Sequence, residues 1–133
     1  MLCLGLFSKG IENVLASIKD NPEQRLIVIT GIGAGDSKGH GGFLYNRVFN
    51  PLLLKEIYRD KDREEALIKE SHANWLIVRP GFLTNGPRTG KYRVIDNLTG
   101  VTAGKISRAD VADFMLKQLM EPTHFGKTPL LTY

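Results

Sequence analysis

The glycine-rich segment TGIGAGDSKGHGG, residues 30–42, has the residue types and spacing that come closest to a recognised chemistry. It directly follows the apolar run RLIVI, residues 25–29, so Gly31, Gly33 and Gly35 stand behind an expected strand. Backbone N–H groups of a glycine-rich turn between a strand and a helix bind the pyrophosphate of dinucleotides. The segment therefore raises the question of a phosphate cradle.

The spacing of this segment does not meet the requirements of such a cradle. The pattern Gly-x-Gly-x-x-Gly needs glycine at the position of Asp36 when counted from Gly31, or at that of Lys38 when counted from Gly33. No register supplies the P-loop pattern, and the next helix start signal lies only at Asn50. An aspartate would also place negative charge beside a phosphate. We conclude that this loop is not the pyrophosphate cradle.

Other catalytic and metal-binding patterns are missing from the sequence. His40, His72 and His124 lie far apart and lack the spacing of zinc ligands, so no metal site is expected. Cys3 lies in an apolar run and is interpreted as a packing residue rather than a nucleophile. The Gly-x-Ser-x-Gly nucleophile elbow does not occur.

Length and cysteine content indicate one domain in a reducing compartment. A chain of 133 residues, 42% hydrophobic and 24% charged, is ordinary for a single globular domain, here residues 1–133. With a single cysteine no intramolecular disulfide can form, which favours the cytoplasm. The apolar N-terminal stretch, residues 1–7, is much shorter than the roughly 20 residues that span a bilayer, so no membrane association is expected.

The net charge of +4 arises from 18 basic and 14 acidic residues, with the densest basic segment, RTGKYR, at 88–93. Its interleaved Tyr92 would suit a nucleic-acid strand. A solvated loop or a site for an anionic cofactor explains the same charge. Because no nucleic-acid-binding motif accompanies the segment, no nucleic-acid partner is expected.

Apolar runs alternate with helical patterns along the chain, which predicts an α/β fold with a parallel sheet and helices on both faces. The expected strands are residues 2–4, 26–30, 75–78 and 128–132, with a short one at 92–95, and the expected helices are 8–20, 50–71 and a third from Ser107. Residues 82–91 are expected to form a loop. Ligands of parallel sheets bind at the carboxyl ends of the strands, which singles out residues 30–47, 79–92 and whatever follows Leu4.

Cap signals and apolar stripes support these helices. Asn50 before a proline and Ser107 three residues before Asp110 are N-cap signals, the second a capping box with aspartate in place of glutamate. The stripes expected to face the core are Ile11, Val14, Leu15 and Ile18 in the first helix and Val111, Phe114, Met115 and Leu119 in the third.

Three stretches together resemble one group of proteins, the atypical short-chain dehydrogenase/reductases of the NmrA-like and biliverdin-reductase-B/flavin-reductase types. RLIVITGIGAGDS resembles their fifth strand and following loop, KDREEALIKESHANWLIVRPGFLTNGP the next helix, sixth strand and Arg-Pro-Gly loop, and ISRADVADFMLKQL a late helix. The resemblance implies a Rossmann-like three-layer fold that binds NADP or NAD.

The same resemblance implies that the fold is incomplete in its N-terminal half. These families begin with a strand and a Gly-x-x-Gly-x-x-Gly turn, which this sequence does not contain, and Leu2–Gly5 resembles the end of their fourth strand. We therefore expect weak dinucleotide binding by this chain alone. We also expect self-association through the sheet edge that the strand at Leu2–Leu4 would expose.

The resemblance assigns candidate site residues position by position. Thr30 and Lys61 are the candidate catalytic residues and also candidates for cofactor binding. Thr30 occupies the position of a hydroxyl near the nicotinamide and substrate that can hydrogen-bond the reacting carbonyl, and Lys61 that of a lysine that contacts the nicotinamide ribose. Alternatively, Thr30 is a strand-end threonine that caps its own backbone. The remaining candidates for cofactor binding are Gly31, Pro80, Gly81, Phe82 and Leu83.

The catalytic register of classical family members is not kept. Their tyrosine stands four residues before the lysine, where this chain has Ile57, and Tyr58 lies one residue later and is expected to pack. Arg79 is interpreted as structural, bonded to loop carbonyls. The resemblance thus implies an NAD(P)H-dependent oxidoreductase of a small-molecule substrate. The alternatives are a dinucleotide-sensing or partner-binding module without turnover, or an inactive fragment.

Overall fold

The computed structural model describes residues 5–33 and 51–133, and only the helical backbone in 51–54. The elements are α1 (Leu6–Ile18), β1 (Arg25–Ile29), α2 (Pro51–Glu70), β2 (Asn74–Pro80), β3 (Phe82–Thr84), β4 (Arg93–Ile95), β5 (Lys105–Ser107), α3 (Arg108–Met120) and β6 (Leu130–Thr132). The expected strand at Leu2–Leu4, the cap at Asn50 and most of the glycine-rich segment lie outside the described residues. No helix in the described part is both long and apolar enough to cross a membrane.

Within residues 5–33 and 51–133, a mostly parallel four-stranded sheet forms the centre, in the order β1-β2-β6-β4. β1 pairs in parallel with β2 from Arg25 opposite Asn74 to Ile29 opposite Val78. β2 continues in parallel with β6, while β4 closes the other edge antiparallel to β6. β3 and β5 form a separate parallel pair. The predicted α/β fold with a parallel sheet is confirmed.

Helices cover both faces of the sheet because its strands are apolar on both sides. On one face, Ile11 of α1 and Ile68 of α2 pack against Ile77 of β2. On the other, Phe114 of α3 packs with Leu76. The expected three-layer Rossmann-like arrangement is therefore confirmed.

The structure corrects several expected boundaries. α1 begins two residues earlier than predicted, because the Asp60 carboxylate accepts hydrogen bonds from the backbone N–H groups of Phe7 and Ser8. β2 continues through Pro80 because β6 pairs with it there. The last strand begins at Leu130 rather than residue 128.

The predicted loop at residues 82–91 and the predicted stripes also need correction. Phe82–Thr84 is a strand, since it pairs with Lys105–Ser107, which the sequence left unassigned. Val14 and Leu119 belong to the predicted core stripes but are exposed, so each stripe is narrower than expected.

Candidate functional site

A cleft of about 270 Å³ lies at the carboxyl ends of β1 and β2. It is lined by Ile29, Thr30, Gly31, Ile32, Ile57, Tyr58, Lys61, Pro80, Gly81, Phe82 and Leu83. Every site residue predicted from the sequence therefore lines the same cleft. Sequence reasoning did not include Ile29 and Ile32, which extend its apolar wall.

Backbone hydrogen bonds hold the two sides of the cleft together. Thr30 N–H donates to the Val78 carbonyl at 3.0 Å, and Ile32 N–H donates to the Pro80 carbonyl at 3.2 Å. Between them Gly31 has φ of +138°, a conformation that favours glycine, and a Cβ there would meet no atom within 4 Å. The first loop thus presents bare backbone to the cleft.

Gly81 is required on the opposite side of the cleft for a different reason. A Cβ at this position would lie 2.3 Å from the carbonyl oxygen of Gly104. The N–H of Gly81 donates to the Leu131 carbonyl at 2.9 Å, so the segment is fixed against β6. The next two residues, Phe82 and Leu83, line the cleft.

Lys61 supplies positive charge to the cleft. Its ammonium donates a hydrogen bond to the Thr30 carbonyl and lies 5.0 Å from the centroid of the Phe7 ring. Burial lowers the pKa of Lys61 below its usual value, although the carboxylates of Glu64 and Glu65 act to raise it. A partly desolvated cation is therefore held at the end of β1.

The Thr30 hydroxyl faces away from the cleft into a buried ionic network. It donates to Glu65 Oε1 at 2.8 Å. Arg79 Nε and Nη2 reach the two oxygens of the same carboxylate at 3.0 and 2.6 Å, and Lys69 Nζ lies 3.4 Å from Oε2. Arg79 is thus bonded to a carboxylate, whereas loop carbonyls were expected.

Sequence reasoning missed Glu65. The available signal was its position one helical turn after Lys61, which places both on one face of α2. Its partner Thr30 directly follows β1 and its partner Arg79 lies in β2, however, and only the folded sheet brings them together.

Tyr58 and Ile57 both line the cleft. The Tyr58 hydroxyl donates to the Ile32 carbonyl at 3.3 Å. A Cβ on Gly33, whose φ is +101°, would lie 3.1 Å from the Tyr58 ring, so the ring packs on bare backbone as expected. Ile57, at the classical tyrosine position, offers no proton to a substrate.

A second polar cluster anchors residues 85–92 to the start of α3. Ser107 Oγ accepts the backbone N–H of Asp110 at 3.0 Å, which confirms the predicted cap. The Asp110 carboxylate does not complete the capping box. It instead accepts the N–H groups of Thr89 and Gly90, both at 2.8 Å, and the Tyr133 hydroxyl at 2.7 Å. Burial acts to raise the pKa of Asp110, but these hydrogen bonds hold it well below its usual range.

Asp113, one turn further along α3, fixes the basic segment. Its carboxylate forms ion pairs with Arg88 Nη2 and Lys117 Nζ, both at 2.6 Å, and accepts a hydrogen bond from the Tyr92 hydroxyl at 2.8 Å. The hydrogen bonds from Lys117 and Tyr92 lower the pKa of Asp113 to about 2, against the opposing effect of burial. Arg93 bonds the Tyr133 carbonyl oxygen at 2.8 Å. Two basic side chains of the segment 88–93, those of Arg88 and Arg93, thus make contacts that stabilise the fold.

The cleft residues fit the nicotinamide end of a dinucleotide. The volume is slightly below the range of about 300–1,000 Å³ typical of small-molecule sites, so it suits one end of such a cofactor. Apolar side chains suit a flat ring, and the Lys61 ammonium suits ribose hydroxyls and a nearby phosphate. Thr30, Gly31, Pro80 and Gly81 would contribute mainly backbone groups.

Comparison with known proteins identifies the family and the fold, but not the roles of single residues. The model of a family described as NAD(P)H-binding matches residues 5–122. No significant match was found among curated proteins. Among solved structures, ChuY, an anaerobillin reductase from Escherichia coli O157:H7, is 25% identical with a TM-score of 0.76, covering 92% of this chain and 56% of that one.

Two further structures share the fold. A candidate NADH-flavin reductase from Streptococcus pneumoniae TIGR4 is 23% identical with a TM-score of 0.72, covering 97% of this chain and 64% of that one. A short-chain dehydrogenase/reductase from Veillonella parvula DSM 2008, in complex with NADP, is 15% identical with a TM-score of 0.73, covering 98% and 60%. The chain thus spans less than two thirds of the length of each of these three structures.

The chain belongs to the NAD(P)H-binding family, since the family match extends over most of its length. Its neighbours fit the resemblance to atypical short-chain dehydrogenase/reductases, and its cofactor class is NAD(P)H.

Proposed function

We propose that this member of the NAD(P)H-binding family is an oxidoreductase of the atypical short-chain dehydrogenase/reductase type, acting on a small molecule at the cleft beside β1 and β2. The observation that carries the proposal is the convergence of Lys61, the bare backbone at Gly31 and the Pro80–Leu83 segment in one apolar cleft. A bound nicotinamide supplies the reducing equivalents, and the protein binds and orients it.

Each side of the cleft would have its own task in this proposal. The Lys61 ammonium would hold the ribose and its phosphate by charge. Phe82 and Leu83 would exclude water from the reacting face, and the backbone at Gly81 would lie along the carboxamide. The Thr30 hydroxyl already donates a hydrogen bond to Glu65. Thr30 would therefore act mainly through its carbonyl, which accepts a hydrogen bond from the Lys61 ammonium.

Saturation-transfer NMR with NADPH tests the binding part of this proposal. Lys61→Gln should remove the transfer to nicotinamide and ribose protons. Lys55→Gln, on the same helix but outside the cleft and exposed, is the matched control and should bind as the wild type does. Equal binding by both variants would contradict the role of Lys61. Consumption of NADPH in the presence of flavin, quinone or aldehyde acceptors tests turnover.

A second candidate is dinucleotide binding without turnover, as in a sensing or partner-binding module. Two observations favour it: Ile57 stands where classical members carry their tyrosine, and the Thr30 hydroxyl is engaged by Glu65. Binding of NADPH with no oxidation by any acceptor would support this candidate. Absence of both would indicate that the chain is inactive alone.

We further propose that the chain self-associates through a sheet edge. The strand at Leu2–Leu4, which was expected to form this edge, lies outside the described residues, so the edge proposed here is that of β1. Among the described residues β1 pairs with β2 only. The other edge of β1, with which no described residue pairs, lies in a groove of about 510 Å³ lined by residues of α1 and by Glu64 and Met115. A partner strand there must be apolar on both faces, and β1 of a second copy is such a strand.

We also propose that the protein is located in the cytoplasm, because its single cysteine fits a reducing compartment.

A further inference from the structure

The Glu65 carboxylate joins three elements beneath the cleft. Glu65 belongs to α2 and is only 1% exposed. Its carboxylate accepts a hydrogen bond from the hydroxyl of Thr30, which follows β1. It also accepts two hydrogen bonds from the guanidinium of Arg79, in β2. An unpaired carboxylate would be costly at this depth, and the bidentate contact with Arg79 compensates its charge. The carboxylate is therefore held rigidly below the cleft floor.

Two successive turns of α2 hold Thr30 at two different atoms. Lys61 donates to its carbonyl, while Glu65, four residues later, accepts from its hydroxyl. The carbonyl is the atom that orients the Lys61 ammonium, so a shift of the Thr30 backbone would move the cation in the cleft. The hydroxyl bond to Glu65 restrains Thr30 in addition to its backbone hydrogen bond to Val78.

We infer that Glu65, braced by Arg79, is the positioning residue of this cleft, which acts through Thr30 to fix the Lys61 ammonium. Its relevance to cofactor binding rests on the proposed function. The hydrogen bonds that link Lys61, Thr30 and Glu65 are present without a cofactor. Glu65 does not line the cleft, so its effect on a ligand must pass through Thr30 and Lys61. Misplacement of a binding group by about 1 Å is enough to cost up to about 100-fold in rate.

Thr30→Val tests this inference without changing any charge. Valine keeps the shape of the side chain and leaves the Glu65–Arg79 pair in place, but it cannot donate to Glu65. The Lys61 ammonium protons, assigned in the NMR spectrum by their loss in Lys61→Arg, should exchange with water about tenfold faster in the variant. Thr30→Ser, which retains the hydroxyl, should restore the slow exchange.

Two carboxylate variants separate positioning from simple charge. Glu65→Gln should accelerate exchange at Lys61 as Thr30→Val does. Glu64→Gln removes the adjacent acid that also acts on the pKa of Lys61 but makes no bond to Thr30, so it should accelerate exchange less than Glu65→Gln does. Asp113→Asn, which breaks a comparably buried network outside the cleft, controls for general destabilisation.

Wild-type exchange at Lys61 in Thr30→Val would overturn the inference, as would equal acceleration in Glu64→Gln and Glu65→Gln. NADPH titration of the same variants is a separate readout, in which Thr30→Val should weaken binding about tenfold. If the wild type fails to bind NADPH, the proposed function fails while the exchange data still decide the role of Glu65.

Discussion

The Asp60 carboxylate of α2 caps the N-terminus of α1 by hydrogen bonding Ser8. Ser8 Oγ donates to Oδ1 at 2.5 Å, and the Phe7 N–H donates to Oδ2 at 2.8 Å. The residue that precedes α1, Gly5, has no side chain to perform this task. A distant aspartate therefore satisfies the first N–H groups of the helix and fixes the angle between α1 and α2.

Asp60→Asn should destabilise the protein at neutral pH by about 1 kcal/mol, the usual contribution of a helix cap. Burial acts to raise the pKa of Asp60, but the hydrogen bonds from Ser8 and Phe7 outweigh it and lower the pKa. Since the folded pKa lies below the unfolded one, this stabilisation is present above about pH 4 and is lost as the pH falls further. Urea unfolding from pH 7 to pH 3 should show the wild type converging on the variant. Glu70→Gln, exposed on the same helix, should not alter the pH profile.

Gly81→Ala should destabilise the fold by about 1–3 kcal/mol, because the new methyl group would overlap the Gly104 carbonyl. Gly10→Ala provides a control of opposite sign. A Cβ at this position of α1 meets no atom within 4 Å, so alanine should stabilise the helix by about 0.5–1 kcal/mol. Thermal unfolding of the two variants measures both effects. A neutral Gly81→Ala would contradict the close approach of Gly81 to the Gly104 carbonyl.

The sequence predicts what depends on local pattern and misses what depends on contacts between distant segments. The apolar runs at 26–30 and 75–78 predict β1 and β2, because strands covered on both faces need such runs. The pairing of β3 with β5 has no such signal: each has three residues, and the pair depends on the approach of Gly81 to Gly104.

The candidate site shows the same division. Motif resemblance identifies Lys61 and the Pro80–Leu83 segment, because their spacing within single elements is characteristic. It assigns the Thr30 hydroxyl to the substrate side, whereas the folded chain turns this hydroxyl toward Glu65. Side-chain direction at a strand end depends on the neighbouring helix, which sequence spacing does not specify.

NADPH should bind the wild-type chain no more tightly than about 1 mM, which corresponds to about 4 kcal/mol. In the proposed binding mode the cleft contacts only the nicotinamide end, and the sequence contains no glycine-rich turn of the pyrophosphate-binding spacing. Isothermal titration, or NMR shift changes where heats are small, measures the affinity. Micromolar binding would show that another element of this chain holds the pyrophosphate.

Asp113→Asn should destabilise the protein at neutral pH and have little effect on its stability at acidic pH. Because the pKa of Asp113 is lowered to about 2 in the folded state, its contribution is present above about pH 4 and lost between about pH 4 and 2. Melting temperatures of wild type and variant should therefore differ at pH 7 and approach each other near pH 2.5. A constant difference over this range would mean that the Arg88 and Lys117 contacts contribute no charge-dependent stability.

Self-association through β1 should be visible by sedimentation velocity at micromolar concentration. Leu26, Ile27 and Val28 are apolar on both faces of the strand but only half-buried, and edges of this kind pair with other strands. The same groove contains Glu64, which is 7% exposed and whose Oε2 has no hydrogen-bond partner among the described residues. A second chain that enters the groove would bring backbone N–H groups close to this oxygen.

Val14→Lys should shift the protein toward monomer, because Val14 is 40% exposed on the α1 wall of the groove and a lysine there opposes burial. Met120→Lys is the matched control, since Met120 is 84% exposed and lies outside the groove. If a general loss of apolar surface were responsible, both variants would dissociate equally. A wild type that sediments as a monodisperse monomer and unfolds cooperatively would refute the proposal, because residues of the same chain must then cover the β1 edge.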